Sequence, residues 1–358
     1  MDLNNLILIF FLICFNLFFY KYFLLFLNKY KPKLLIDDQF TKPQAFHEFQ
    51  TSIAGGICIF FSFLIIYFDF LLFKNIYLFE YFSFCTLFFL LGFLDDVKVN
   101  INPKARLGLM ILFLILLIKY NSFYIDKTGV ETLNNWLESS QFFSLIFICL
   151  CFLFIINGAN LIDGCNGLLG FHSLIILVNL FLVNHLNENN NLANLLFFKI
   201  IILLIFLKFN FPKAKIFLGD GGSYFLGAFI SISTIETSIA NPMISPFYFC
   251  ILMFYLFFEV FFSFFRKLIR EKKSPILPDK KHLHMLLYGL LLKKNNNKLK
   301  SNYYVSLIIN SIYLMLIVPA ILMMKNGIFC KYYSIVFFII YLFSYIYLKT
   351  LVKINEAI

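Results

Sequence analysis

Residues 142–183 read FFSLIFICLCFLFIINGANLIDGCNGLLGFHSLIILVNLFLV: two apolar runs separated by Asn157-Gly-Ala-Asn-Leu-Ile-Asp-Gly-Cys-Asn-Gly-Leu168. Each run approaches the length needed to cross a hydrocarbon core about 30 Å thick. The intervening segment carries three asparagines, an aspartate and several glycines, far more polar character than a plain connection between membrane helices needs. Asn157, Asn160 and Asp163 recur at i, i+3 and i+6, so a helical continuation would bring them to roughly one face. The glycines of 164–170 allow tight turns and a close approach of backbone N–H groups to an anion. The stretch predicts an all-α, polytopic membrane bundle with chemistry at the end of its spans.

The rest of the chain extends this pattern. Of its 358 residues, 61% are hydrophobic and 14% charged, more apolar than a soluble domain of this size requires. Eleven stretches are expected to cross: Leu6–Leu27, Ile53–Phe73, Tyr77–Leu94, Leu107–Ile118, Phe142–Asn157, Leu168–Val183, Leu195–Phe211, Phe217–Thr234, Ile244–Phe265, Tyr303–Met324 and Ile328–Leu348. Asp2 and the absence of a basic segment ahead of the first predict a retained span rather than a cleaved signal. The chain 1–358 is therefore expected to form one integral membrane domain, with 266–302 a long basic loop.

Of the 30 Lys and Arg, 23 fall in alternate connections: Lys29–Lys42, Lys98–Arg106, Lys208–Lys215, Arg266–Lys300 and the tail. The opposite connections hold five. The basic-rich side is cytoplasmic by the positive-inside rule, which places the N-terminus outside and the C-terminus inside. The net charge of +11 is thus a topological signal and an attraction for anionic lipid or substrate, with nothing that points to nucleic acid. The eight cysteines lie mostly in apolar spans without metal-ligand spacing and read as small hydrophobes. The many Phe, Ile, Lys and Asn look like nucleotide bias.

Charged groups at span ends are expensive, so each is weighed as functional. Gly92-Phe-Leu-Asp-Asp96 ends the third span, followed by Lys98 and Arg106. Adjacent carboxylates there can hold Mg²⁺ or divide the roles of base and orienter; a solvated helix end is the plainer reading of the pair alone. Gly219-Asp-Gly-Gly-Ser223 opens the eighth span after Asn210-Phe-Pro, and Asp220 would be a hard ligand with few side chains crowding it. Phe217 could stack on a base, although with 52 Phe in the chain packing is the simpler role. Glu259 reads as a buried acid paired to a basic residue, or as part of a site. His282 and His284, at i and i+2, would share a face of a strand or extended loop and could contact phosphate. All three arginines, Arg106, Arg266 and Arg270, flank these motifs; their planar forks suit bidentate phosphate contact, and an ordinary role in topogenic loops is an equal reading.

In this order the motifs resemble those of the polyprenyl-phosphate N-acetylhexosamine-1-phosphate transferases (glycosyltransferase family 4): Gly-Phe-Leu-Asp-Asp, Asn-x-x-Asn-Leu-Ile-Asp-Gly-x-x-Gly-Leu, Asn-x-Pro-x-Ala-Lys-x-Phe-x-Gly-Asp-x-Gly-Ser and Pro-Asp-x-x-His-Leu-His. The match runs from about His47–Gly56 to His284. Its His-Leu-His form is closer to the undecaprenyl-phosphate N-acetylglucosaminyl-1-phosphate branch of surface-polysaccharide synthesis than to the phospho-N-acetylmuramoyl-pentapeptide branch of peptidoglycan synthesis.

The resemblance implies transfer of a sugar 1-phosphate from a UDP-N-acetylhexosamine to a polyprenyl phosphate, with Mg²⁺ (or Mn²⁺) as cofactor. It also implies a site on the cytoplasmic face of a bacterial inner membrane, and a homodimer is compatible with it. It assigns Asp95, Asp96 and Asp163 to catalysis and Asp220 and Asn157 to the metal. Substrate contacts fall to Asn157, Asn160, Asn166, Asn210, Phe217, Lys98, Arg106, Arg266, His282 and His284. Five positions depart from the pattern: Asn166 for a second Asp, Ile53 for Arg, Met110 for Gln, Glu259 for Asp and Met285 for His. The competing class is a transporter or lipid flippase, which also uses intramembrane acids and broken helices. Here, however, the acids gather at one interface and neither acidic motif repeats.

Overall fold

The computed structural model describes residues 3–30, 35–37, 50–99, 101–125, 127–275 and 279–357. Lys31, Lys33, Lys42, His47 and Pro278 lie outside the described residues. Helices dominate: α1 (Leu3–Tyr30), α2 (Gly55–Phe73), α3 (Phe79–Asp96), α4 (Pro103–Asn121), α5 (Glu131–Ser139), α6 (Gln141–Ile162), α7 (Leu168–Leu186), α8 (Asn190–Asn210), α9 (Gly219–Ala240), α10 (Pro246–Leu252), α11 (Phe254–Phe265), α12 (Leu283–Asn295), α13 (Lys298–Leu322) and α14 (Gly327–Ala357). Two short strands, β1 (Ile36–Asp37) and β2 (Thr51–Ser52), pair antiparallel. The chain is a multi-pass, all-α membrane protein.

Each expected stretch falls on a helix, the ninth on the pair α10 and α11–Arg270, bent by 73°. Among the described residues seven helices are long and apolar enough to cross a membrane, or eight if the bent pair is one span. The remaining three expected spans fall on α3, α4 and α9. All three carry charged or small polar residues toward their ends, such as Glu80, Asp95 and Asp96 on α3 and Lys104 and Arg106 on α4.

Connectivity nonetheless carries them from one end of the bundle to the other. The Gly55 amide at the start of α2 bonds Phe217 at one end of the bundle, and α3 returns to that end at Asp96. There α4 begins with Arg106 beside Asp95, and α6 arrives with Asn160 beside Asp220. Likewise α8 ends there at Asn210 and α9 starts there. Helix α9 is buried at every residue from Gly221 to Thr234. A helix sheathed by protein need not match lipid, so Gly, Ser and Thr are tolerated and allow close packing.

One expectation is realised differently. The 266–302 connection is structured: a π-helical turn spans Arg266–Arg270, and α12 follows. His282 is the extended residue just before α12, and His284 lies inside it. The two rings sit parallel, with centroids 5.8 Å apart and planes at 12°. The neighbouring rings foreseen for a strand are thus produced by a helix start.

Candidate active site

The site is built around the N-terminus of α9. Asp96, at the end of α3, accepts the Asp220 amide on Oδ1 at 2.8 Å and the Gly221 amide on Oδ2 at 2.9 Å. These amides lack partners within their own helix, and a carboxylate there also complements the helix dipole. Such closeness needs glycine twice. A Cβ on Gly92 would stand 2.4 Å from the Asp220 carbonyl oxygen. Gly219 has φ +77°, and a Cβ there would meet Asp96 Oδ2 at 2.7 Å. Sequence reading included Gly92 and Gly219 in motifs but gave them no role; this contact is their reason.

The Asp220 amide is bound to Asp96, and its side chain faces outward, half-exposed. Its Oδ1 accepts from Asn160 Nδ2 at 2.8 Å, and the same amide nitrogen also reaches Ser223 Oγ at 3.0 Å. Its Oδ2 lies 3.8 Å from Arg106 Nη1, which pairs directly with Asp95 Oδ2. Arg106 therefore joins the two acids across the mouth of the site. Asp163, just after α6, makes no side-chain hydrogen bond among the described residues. Burial, followed by the charges of Asp220 and Asp96, pushes its carboxyl well above the usual carboxylate range. Four acids thus face one region with a single arginine among them.

The Asn157 amide donates back to Leu153 O at 2.8 Å and approaches Met110 Sδ at 3.9 Å. Asn160, not Asn157, is the asparagine that reaches Asp220. Lys98 is exposed, with φ +62°, and its amide donates to Asp95 O. Phe217 is partly buried, its backbone bonded on both sides: its amide donates to Ser52 O and its carbonyl accepts from Gly55 N. This ties β2 and the start of α2 to the segment that leads into Asp220. Ile53 follows directly, its amide bonded to Leu35 O.

Asn166 and Asn210 connect the loops. Asn166 Nδ2 donates to Pro212 O at 2.9 Å. Asn210 accepts from Gly167 N at 2.6 Å and donates to Ile216 O at 2.8 Å. Three buried residues absent from the sequence reading complete the arrangement. Asn302 Oδ1 accepts from Asn166 N at 2.7 Å, Ser306 Oγ donates to Asn166 O at 2.6 Å, and Asn310 Nδ2 donates to Leu168 O at 3.2 Å. Their spacing on α13, i, i+4 and i+8 in an apolar helix, was the available signal.

The third arm is the connection after α11. Glu259 Oε1 meets His282 Nδ1 at 3.0 Å and the Leu283 amide at 3.1 Å, while Oε2 accepts from Tyr341 at 2.7 Å. Arg266, almost fully buried, pairs with Glu271 at 2.9 Å and Asp279 at 2.7 Å. Burial works against the Asp279 charge. The Lys281 amide, the Arg266 guanidinium and the nearby His282 and Lys267 outweigh it and hold that carboxyl at about 2. His284 is fully buried with both ring nitrogens unpartnered among the described residues. Burial is the main cause of its fall to about 4, so the ring is neutral at physiological pH. Here Met285 is buried too, filling apolar space.

A Mg²⁺ ion was expected at this site. The donors on offer are hard carboxylate and amide oxygens. Among the described residues no three His, Cys, Asp or Glu side chains close around one point. Hard oxygen donors of this kind fit Mg²⁺, which takes one or two carboxylates and completes its shell with water and substrate phosphate. The under-bonded Asp163 beside Asp220 gives the same indication.

A model of the family described as Glycosyl transferase family 4 matches residues 78–238, the segment that carries Asp95, Asp96, Asn160, Asp163 and Asp220. The phospho-N-acetylmuramoyl-pentapeptide-transferase of Dictyoglomus turgidum is 33% identical over 250 residues, 68% of this chain and 77% of that protein. The chain belongs to glycosyl transferase family 4. Other members similar to it carry a different name. The undecaprenyl-phosphate alpha-N-acetylglucosaminyl 1-phosphate transferase of Thermotoga maritima is 28% identical over 234 residues, 64% of this chain and 65% of its own. A probable undecaprenyl-phosphate N-acetylglucosaminyl 1-phosphate transferase of Bacillus subtilis is 31% identical over 211 residues, 56% of each. Both branches of family 4 that the motifs suggest are therefore represented among its relatives.

Proposed function

We propose that this family 4 protein transfers a sugar 1-phosphate, most naturally N-acetylhexosamine 1-phosphate, from a UDP-sugar to polyprenyl phosphate, releasing UMP. An oxygen of the lipid phosphate attacks the sugar-bearing phosphorus. The bond from that phosphorus to the bridging oxygen breaks, and the oxygen leaves with UMP. The observation that carries this reading is the gathering of Asp95, Asp96, Asp163 and Asp220 around the start of α9, with Asn160 and Arg106 between them.

Phosphoryl transfer needs positioning and charge neutralisation more than covalent chemistry from the protein. Bound Mg²⁺ would supply Lewis acidity toward the diphosphate, held by Asp220 with Asp163 nearby. Asn160 orients the Asp220 carboxylate, and Asp96 holds the helix start that presents it. Asp95 is the acid placed to receive or orient the lipid phosphate, and Arg106, which bridges Asp95 and Asp220, is the group able to exchange a carboxylate for a phosphate. His284, neutral and with both ring nitrogens unpartnered among the described residues, could donate to a phosphate oxygen and accept from a sugar hydroxyl only if substrate binding opens the packing that now buries it fully. In this reading the site faces the cytoplasm, where UDP-sugars are, in a bacterial inner membrane.

The second reading keeps the reaction and changes the donor to UDP-N-acetylmuramoyl-pentapeptide; the 33%-identical relative favours it. The test is UMP release by detergent-solubilised protein with Mg²⁺, undecaprenyl phosphate and a panel containing UDP-N-acetylglucosamine and UDP-N-acetylmuramoyl-pentapeptide. Release that requires both lipid and Mg²⁺ supports the class, and the preferred donor selects the branch. Folded protein that releases nothing with any donor sinks both.

A further inference from the structure

The loop after α6 is shaped almost wholly by side chains from distant helices. Asn302, Ser306 and Asn310 lie on one stripe of α13, about 6 Å apart along the axis. They bond in turn to Asn166 N, Asn166 O and Leu168 O. Asn310 Oδ1 also faces His172 Nδ1 at 3.2 Å, so that nitrogen carries the proton. From α8, Asn210 takes the Gly167 amide. All five side chains are buried. Buried polar groups on lipid-spanning helices are costly unless bonded, so a complete set has a structural purpose.

The same grip reaches the second loop. Asn166 Nδ2 donates to Pro212 O, and Asn210 Nδ2 donates to Ile216 O, four residues before Asp220. The turn that presents Asp163 and the segment that presents Asp220 are therefore bound to each other through two asparagines.

We propose that Asn302, Ser306 and Asn310, acting through Asn166, are positioning residues that set Asp163 against Asp220. This rests on the transfer reading above. It also gives Asn166 a role that its charge does not predict. Where family 4 proteins usually carry an aspartate, this chain needs a donor toward the Pro212 carbonyl, which an ionised carboxylate cannot supply. Asn166→Asp is therefore a loss here, although it restores the more usual residue.

The test uses full-length protein in nanodiscs and two independent readouts. Ser306→Ala removes one hydroxyl from a tight site with little change in shape. It should lower kcat between about tenfold and a hundredfold, as sub-ångström misplacement does, with KM for the UDP-sugar little changed. Ser306→Thr, which keeps the hydroxyl, should recover most of the rate. Asn166→Asp should lower kcat comparably. Independently of activity, hydrogen exchange in the peptide covering 163–170 should speed up in Ser306→Ala while peptides from α2 and α14 keep wild-type protection. Unchanged local exchange, or an Asn166→Asp enzyme as fast as wild type, overturns the proposal. A wild type that is inactive with every donor but shows the local exchange change would sink the transfer reading and leave the loop-positioning geometry standing.

Discussion

Two polar regions meet at the same end of this bundle and treat charge in opposite ways. In the connection after α11, the buried charges are paired: Arg266 with Glu271 and Asp279, and Glu259 with His282, Leu283 N and Tyr341. Around the start of α9, Asp95 and Asp220 share one arginine, Asp96 is held by two backbone amides, and the Asp163 carboxylate has no hydrogen bond among the described residues. The first pattern is how a protein makes buried charge tolerable. The second leaves repulsion in place and reads as a site waiting for cation and phosphate. Proximity to the motifs therefore does not distinguish a substrate-facing residue from a structural one; bonding does.

Removing charge from the under-bonded side should have the largest effect on turnover. Asp220→Asn is expected to lower UMP release by at least about 10²–10³-fold, with the thermal midpoint of the ligand-free protein unchanged or higher. Full activity in that variant would end the assignment of Asp220. On the satisfied side the loss should instead appear in folding. Glu259→Ala strands His282 and Tyr341 and should lower stability by about 3 kcal/mol, read from thermal or denaturant unfolding in detergent.

A pH experiment sharpens the contrast further. The Asp279 carboxyl is held at about 2 in the fold, below the ordinary aspartate value. Its ion pairs therefore contribute stability above the unfolded value, and that stability is lost as pH falls through the folded one. Asp279→Asn should lower stability near neutrality, where the wild-type ion pairs are formed, and flatten the acid limb below about pH 4 so that the two curves converge at low pH; an unaltered limb would show that Asp279 contributes nothing. The smallest effect belongs to the rim. Lys281 is 46% exposed on its pair with Glu271, and Lys281→Ala should change stability by less than about 1 kcal/mol.

Much of the bundle was legible because lipid imposes a coarse rule: long apolar runs become helices, and charged ends stop them. The acids of the site were legible for the same reason, since Asp95, Asp163 and Asp220 stand out against an apolar background. What escaped reading was tertiary pairing. Arg266 and His282 look like phosphate contacts in sequence, and their pairing with Glu271, Asp279 and Glu259 could not be read there, because only packing decides it. Asn157 and Asn160 are equally polar, but the turn of α6 brings only the second to Asp220. Asn302, Ser306 and Asn310 were overlooked because scattered amides in an Asn-rich chain carry little contrast.

The sheathing of α9 has a consequence for parity. A count that recognises membrane helices only by their lipid-like character finds eight at most and passes over α3, α4 and α9. With the bent pair taken as one span that count is eight, an even number that returns both chain ends to one side of the bilayer, whereas the eleven expected crossings place them on opposite sides. Fusing a reporter to each end would reveal which. The helix whose start carries Asp220 is thus among those that a lipid-based count overlooks, because protein and not lipid surrounds it.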